Sequence, residues 1–276
     1  MSEERRREIG ESEAPVEDEL QESFENTVTE GAERLHRTFR AVLVTGVFGG
    51  LEVGLAYLAV MHQTGDHLLA GIAFSVGLIA LFLAHSELFT ENFLMPVAAV
   101  AAKEGSLRQL AKLWGVTLLG NLAGGWIIMW IVMQAFPQWE STIEESARHF
   151  TDAPFSLQTV ALAILGGSTI TLMSRMQQGT SSDPAKIVAT VIGGFLLAGL
   201  QMFHSILDSL LIFGAIQSGA GITYLEWLTW FGYTLFFNMV GGLVLVTALR
   251  LLRTKELLKE RREEAPADPE AARGDA

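Results

Sequence analysis

A chain of 276 residues, half of them hydrophobic and only 18% charged, does not read as a soluble domain, because its apolar residues run in long blocks instead of alternating with polar ones. The net charge of −12 is concentrated in residues 1–33, where twelve acids face three arginines, and a solvated acidic arm of this kind argues against nucleic acid as a partner. The absence of cysteine excludes disulfides and thiolate metal sites.

In chain order, Arg5, Arg6 and Arg7 are not followed by an apolar run, so no cleavable signal peptide is expected. Phe24, Val28, Leu35 and Phe39 fall near one face of a 3.6-residue period and predict an amphipathic helix. Apolar spans then follow at roughly 41–61, 68–102, 113–136, 156–174, 186–214 and 224–249, with a polar connection from Pro137 to Pro154 in the middle. They predict an all-α integral membrane protein in three parts. An acidic N-terminal arm covers 1–33, a six-span membrane domain 34–252, and a charged tail 253–276, whose end around Pro266 and Pro269 reads as disordered.

Basic residues set the orientation. Arg34, Arg37 and Arg40 precede span one; Lys103, Arg108 and Lys112 separate spans two and three; Arg175 and Lys186 separate four and five; and six basic residues from Arg250 to Arg262 follow span six. The alternate loops carry only Arg148. This predicts a multi-pass protein of the inner or plasma membrane with both termini in the cytoplasm. Trp126, Trp130, Trp227 and Trp230, near span ends, read as interfacial anchors.

Two spans have the wrong length. At about 1.5 Å per residue a continuous helix over 68–102 would measure roughly 52 Å and one over 186–214 roughly 43 Å, against a hydrocarbon core of about 30 Å. Each contains a polar knot, His85-Ser86-Glu87-Leu88-Phe89-Thr90-Glu91-Asn92 in the first and His204-Ser205-Ile206-Leu207-Asp208 in the second. Both spans are therefore expected to break there, with the knots lining a transport route. Three landmarks recur in order. Gly49-Gly50 corresponds to Gly166-Gly167, His85-Ser86-x-Leu88 to His204-Ser205-x-Leu207, and Asn121-x-x-Gly124-Gly125 to Asn238-x-x-Gly241-Gly242. With three spans in each half, the halves would be inverted repeats.

Ser86-Glu87-Leu88-Phe89-Thr90-x-Asn92, the His204-Ser205 pair behind a Phe-rich stretch and Gly120-Asn121 resemble the signatures of the formate/nitrite transporter family, most closely its YfdC-like members. The resemblance covers roughly 35–252 and implies a homopentamer of aquaporin-like protomers, each with its own pore for a small monovalent anion and protons. It implies Leu88, Phe89 and Thr90 on the loop that breaks span two, and Phe74 and Leu78 as an apolar constriction. Ile170 matches another apolar lining position, Leu197 stands where Phe is usual, and His204 matches the central pore histidine with Thr90 near it. The chain also departs from the family. Phe203 replaces a frequent glutamate, Gly167 aligns where a span-four asparagine is usual, and His85 and Glu91 stand where small residues are frequent.

Burying a small anion in a dry constriction is costly, whereas its protonated acid crosses more easily. Histidine titrates near pH 6.5 when unperturbed, so His204 is expected to donate or share a proton with the permeant. Glu87 is expected to brace the loop by accepting backbone N–H bonds, with Ser86, Asn92 and Ser205 in support. Asp208 is expected to cap the second half of span five. His85 and Glu52 are possible further pore residues, Glu52 alternatively meeting another subunit, and His62, His67 and His149 fall at the outer edge. No enzyme activity, metal or cofactor is expected. A neutral-solute or water channel, a haem protein using His85 and His204 as axial ligands, and a scaffold built on the charged termini are the alternatives.

Overall fold

The computed structural model describes residues 14–62 and 67–264, and within these the chain is almost entirely helical. Helix α1 (Ala14–His36) buries Phe24, Val28 and Leu35 along one stripe, as its periodicity predicts. Phe39 is not part of that stripe, because α1 stops at His36 and Phe39 opens α2 (Phe39–His62) with its ring exposed. Helix α1 also runs through the expected boundary after residue 33, so from Ala14 onward the arm is a docked helix; residues 1–13 lie outside the described part.

Helix α3 (His67–Leu83) ends at an irregular stretch, followed by a 3₁₀ turn (Phe89–Phe93) and the short α4 (Met95–Ala101). Then come α5 (Leu107–Ala135), α6 (Glu140–Thr151), α7 (Leu157–Gln178), α8 (Asp183–Gly199) and α9 (Ser205–Ser218). Helix α10 (Tyr224–Val240) continues through a π-helical stretch (Gly241–Ala248) into α11 (Leu249–Arg253), and α12 (Lys255–Glu264) closes the described chain. Among the described residues four helical stretches are long and apolar enough to cross a membrane: Phe39–Met61, Leu107–Ala135, Leu157–Gln178 and Tyr224–Arg253. The other two apolar spans are broken, one between Leu83 and Phe89 and the other between Gly199 and Ser205.

Sequence sets these boundaries locally. Ser106 with Gln109, Ser156 with Thr159 and Thr223 with Glu226 form reciprocal capping boxes at the starts of α5, α7 and α10, satisfying N–H groups that a helix start leaves open. Pro96 and Pro184 stand in the first turns of α4 and α8, where a missing N–H costs nothing. Helix α2 packs along α5, α3 along α8, and α7 along α10 and its π-helical continuation.

Three peripheral expectations are corrected. The connection from 137 to 154 is not merely polar, because Ile143, Ala147 and Phe150 bury one face of α6 at helical spacing. The tail is not disordered through its described part: Leu257 and Leu258 of α12 pack on Phe24, Val28, Ala98 and Ala102, and Arg261 pairs with Glu104. Its end beyond residue 264 lies outside the described residues. Trp230 is no interfacial anchor, since it is buried in the main core against Phe150 and Phe203; Trp126 and Trp130 are exposed.

Candidate functional site: two broken helices meeting at a buried histidine

Breaking a helix inside an apolar layer frees backbone groups that need partners. Two asparagines supply them. Asn121 accepts from the Phe89 N–H at 2.8 Å and donates to the carbonyls of Glu87 and Gly46, both at 2.8 Å. Asn238 accepts from the Ser205 N–H at 2.8 Å and donates to the carbonyls of Phe203 at 2.9 Å and Ala163 at 2.7 Å. Gly49 and Gly166 make room for these loops. A Cβ on either would collide with the loop carbonyl beside it, Glu87 O and Phe203 O respectively.

The helix ends at the two breaks also correct the correspondence that the recurring motifs suggest. Helix α3 ends with His85 at φ +55° and a Ser86 N–H to Leu81 O bond of 3.1 Å, and α8 ends with Gln201 at φ +50° and a Met202 N–H to Leu197 O bond of 2.9 Å. Both are helix ends closed through a left-handed residue. His85 thus corresponds to Gln201 and Leu88 to His204, three residues away from the alignment that the shared His-Ser pairs suggest. Motif identity misled there because the two His-Ser pairs have different backbone roles.

His85 is exposed, whereas His204 is fully buried, so the structure does not bring the two imidazoles together and offers no axial pair for a haem. His204 Nδ1 accepts from the Leu207 N–H at 3.2 Å and Nε2 lies 2.9 Å from Thr90 Oγ1. An Nδ1 acting as acceptor carries no proton, so the imidazole is neutral with its proton on Nε2, directed at Thr90. His204 is also the residue that caps α9. Asp208, expected in that role, instead sits one turn inside the helix and its Oδ2 accepts from the His204 N–H at 2.7 Å.

Phe74, Leu78, Leu88, Phe89, Ile170 and Leu197 all fall in the main buried apolar core. Gly167 does not line this site, because a Cβ there would run into the Asn238 backbone; it is a packing glycine between α7 and α10. Glu52 accepts from Ser86 Oγ at 3.0 Å at the edge of the first break, its other oxygen without a partner. Ser205 contributes its backbone N–H to Asn238, and its hydroxyl finds no partner.

Glu87 accepts from a side chain and not from backbone N–H groups. It is buried and pairs with Arg37, in the joint between α1 and α2. Arg34 of α1 reaches Asn92 Oδ1 at 3.1 Å and Glu30 at 2.7 Å. Burial pushes the Glu30 carboxyl up, but Arg34, Gln178 and Lys186 together outweigh it and hold its pKa below the ordinary glutamate range. Burial likewise pulls the Arg34 guanidinium down, and the surrounding acids Glu30, Glu87 and Glu91 more than restore it.

On the α6 side the site opens into a cavity of about 740 Å³ whose lining includes Tyr57, Phe74, Glu145, Leu197, Met202 and Asp208. The sequence reading missed Tyr57 and Met202, and it gave the two asparagines no bracing role. The recurrence of Asn-x-x-Gly-Gly at Asn121 and Asn238 was the available signal for the latter, while Tyr57 and Met202 look like ordinary core residues in any apolar run.

The family described as "Formate/nitrite transporter" matches residues 21–252. The chain is 28% identical over 205 residues to the inner membrane protein YfdC of Escherichia coli strain K12, covering 69% of this chain and 64% of that one. It is 30% identical over 190 residues to the formate channel FocA of the same strain, covering 64% and 65%. The match thus spans just under two thirds of each of these relatives. Among solved structures, a pentameric formate channel with formate bound shares the fold at a TM-score of 0.68 and 21% identity, covering 79% of this chain and 98% of that one.

Proposed function

Since the chain belongs to the formate/nitrite transporter family, a group of multi-pass membrane proteins, we propose that it is a channel for small monovalent anions of the formate and nitrite type, moved in company with a proton. In this reading the two broken spans complete a set of six, arranged as inverted repeats with both termini in the cytoplasm. Five copies assemble, as in the pentameric formate channel, and in this reading each copy carries its own pore. The observation that carries the reading is the fully buried His204–Thr90 pair where the two breaks meet.

The mechanism follows from this polarity. The half-helices direct positive N-terminal ends toward the site, and the His204 Nε2–H is a neutral donor that attracts an anion by hydrogen bonding. A bare anion between apolar walls would lose its hydration without a counter-charge, so it crosses the constrictions as the neutral acid. Formate flux into proteoliposomes should rise as the outside becomes acidic and fall at least about tenfold in His204→Ala. Flux indifferent to both changes would remove the histidine from the mechanism. Nitrite, acetate and hydrosulfide, run beside formate, rank the permeants. One observation favours a second reading: no Lys or Arg lines the described cavity, as in a pore for neutral solutes. Urea or water passing while every anion is refused would select it.

A further inference from the structure

His204 is poorly placed to be the group that renews the proton. Its Nδ1 holds the Leu207 N–H and its Nε2 holds Thr90, so taking up a second proton on Nδ1 would break the cap of α9. Asp208 has the opposite arrangement. It is 6% exposed and lines the cavity on the α6 side, and only its Oδ2 is engaged, by the His204 N–H at 2.7 Å. Its Oδ1 takes no hydrogen bond within the described chain. One carboxyl oxygen is therefore fixed to the backbone of the pore histidine, and the other is available to whatever occupies the vestibule.

We propose that Asp208 is the proton-exchange residue of the permeation route, handing its proton to the arriving anion while His204 only hydrogen-bonds it. The step balances. The Oδ1–H bond of Asp208 breaks, an O–H bond forms on an oxygen of the anion, the permeant leaves neutral for the constriction, and the charge stays on Asp208 until a proton from vestibule water restores the acid. Movement in the other direction returns the proton by the same step.

The groups around Asp208 suit this role. Glu145 and His149 of α6 line the same cavity and can pass protons between bulk water and its floor. Tyr57 of α2 lines it too, but its hydroxyl donates to Leu207 O at 2.8 Å and is committed there. From α10, Tyr233 lies within electrostatic reach. Arg148, the basic residue of α6, is turned away to Glu144 and the Ala220 carbonyl, so no fixed cation holds the Asp208 carboxylate permanently ionised. From α5, which also packs on α9, no acidic or basic side chain lines the cavity.

This inference rests on the weak-acid reading above, and the experiment separates the two. The full-length protein is reconstituted in vesicles containing a pH dye, and formate and proton uptake are followed together from about pH 7 down to about pH 5, a range chosen around neutrality where histidine also titrates. Asp208→Asn keeps an acceptor for the His204 N–H. It should lower coupled uptake at least about tenfold near neutral pH. The deficit should shrink on acidification, because undissociated formic acid then arrives already protonated, and Asp208→Glu should recover part of the flux. A loss of equal size at every pH marks a purely structural role for Asp208 and overturns the proposal. Unchanged flux overturns it too, as does a gain, which would make the carboxylate a repellent for anions. Loss in His204→Ala with none in Asp208→Asn sinks this inference alone. A wild-type protein that carries no weak acid sinks the functional reading and this inference with it.

Discussion

If Asn121 exists to hold the first break together, its removal should cost what its three hydrogen bonds protect. In Asn121→Ala the Phe89 N–H loses its acceptor and the Glu87 carbonyl its donor. The Gly46 carbonyl also loses a donor, but Gly46 lies inside α2 and keeps its helical partner. Two buried backbone groups are thus orphaned, at about 1–3 kcal/mol each, which gives about 2–6 kcal/mol. The upper half of that range is the better expectation, because little water reaches the site to compensate. Asn238→Ala strips the equivalent pair, the Ser205 N–H and the Phe203 carbonyl, and should cost the same within about 1 kcal/mol. Reversible unfolding in denaturing detergent measures the loss, with Leu119→Ala on an exposed face of α5 as the control for lost apolar surface. Hydrogen exchange at the Phe89 and Ser205 amides reports the local consequence. Asparagine variants no weaker than the control, or a Phe89 amide still protected in Asn121→Ala, would refute the idea that these side chains hold the breaks.

Other consequences can be checked separately. Arg37→Ala leaves the Glu87 carboxylate buried and unpaired and should cost about 3 kcal/mol, the low end for a buried pair because Arg37 is 35% exposed; adding Glu87→Gln should recover most of it in a double-mutant cycle. His85→Gly should leave flux intact and stabilise the fold by up to about 1 kcal/mol, since φ +55° strains a side chain and not glycine, whereas a pore-lining His85 would lose transport. Glu30 has a folded pKa below its unfolded value, so its contribution to docking α1 is present above the ordinary glutamate pKa of about 4.3 and lost as pH falls through the lower folded value. Hydrogen exchange along α1 should therefore accelerate in acid below that point and not between pH 5 and 8, and Glu30→Gln should abolish the acid step. If Leu197 and Phe74, which line the same cavity, form the proposed constriction, Leu197→Phe should slow formate more than water, as measured by stopped-flow light scattering.

The helical membrane architecture and the two breaks were legible because hydrocarbon thickness punishes an over-long apolar span and a charged residue inside one. That Thr90 lies near His204 was legible only through the family resemblance, and the structure places the two side chains 2.9 Å apart. What could not be read was direction. His85 and Glu87 look as polar as His204 in a one-dimensional string, yet His85 is the left-handed stop of α3 and Glu87 answers an arginine fifty positions earlier. Gly167 failed for a related reason: alignment with a pore position says nothing about which side of α7 a missing Cβ would occupy, and here that side is the Asn238 backbone. The docked α12 was hidden by its own composition, since Leu257 and Leu258 are its only large apolar residues and a pair of leucines in a charged run signals no partner.

The corrected register also explains how two breaks of like construction carry one-sided chemistry. At both breaks the chain presents a carbonyl to asparagine, then one free residue, then an N–H to the same asparagine: Glu87, Leu88, Phe89 in one half and Phe203, His204, Ser205 in the other. The middle residue is the one whose backbone the asparagine leaves alone, so its identity can change without unbinding the break. Leucine occupies it in the first half and histidine in the second. Four residues further on, the same register pairs Asn92, bound to Arg34 of α1, with Asp208, open to the vestibule. The bonds that make a break survivable are therefore kept in both halves. The positions between them differ: Leu88 is apolar and Asn92 is tied to the N-terminal helix at one break, while His204 is titratable and Asp208 lines the cavity at the other.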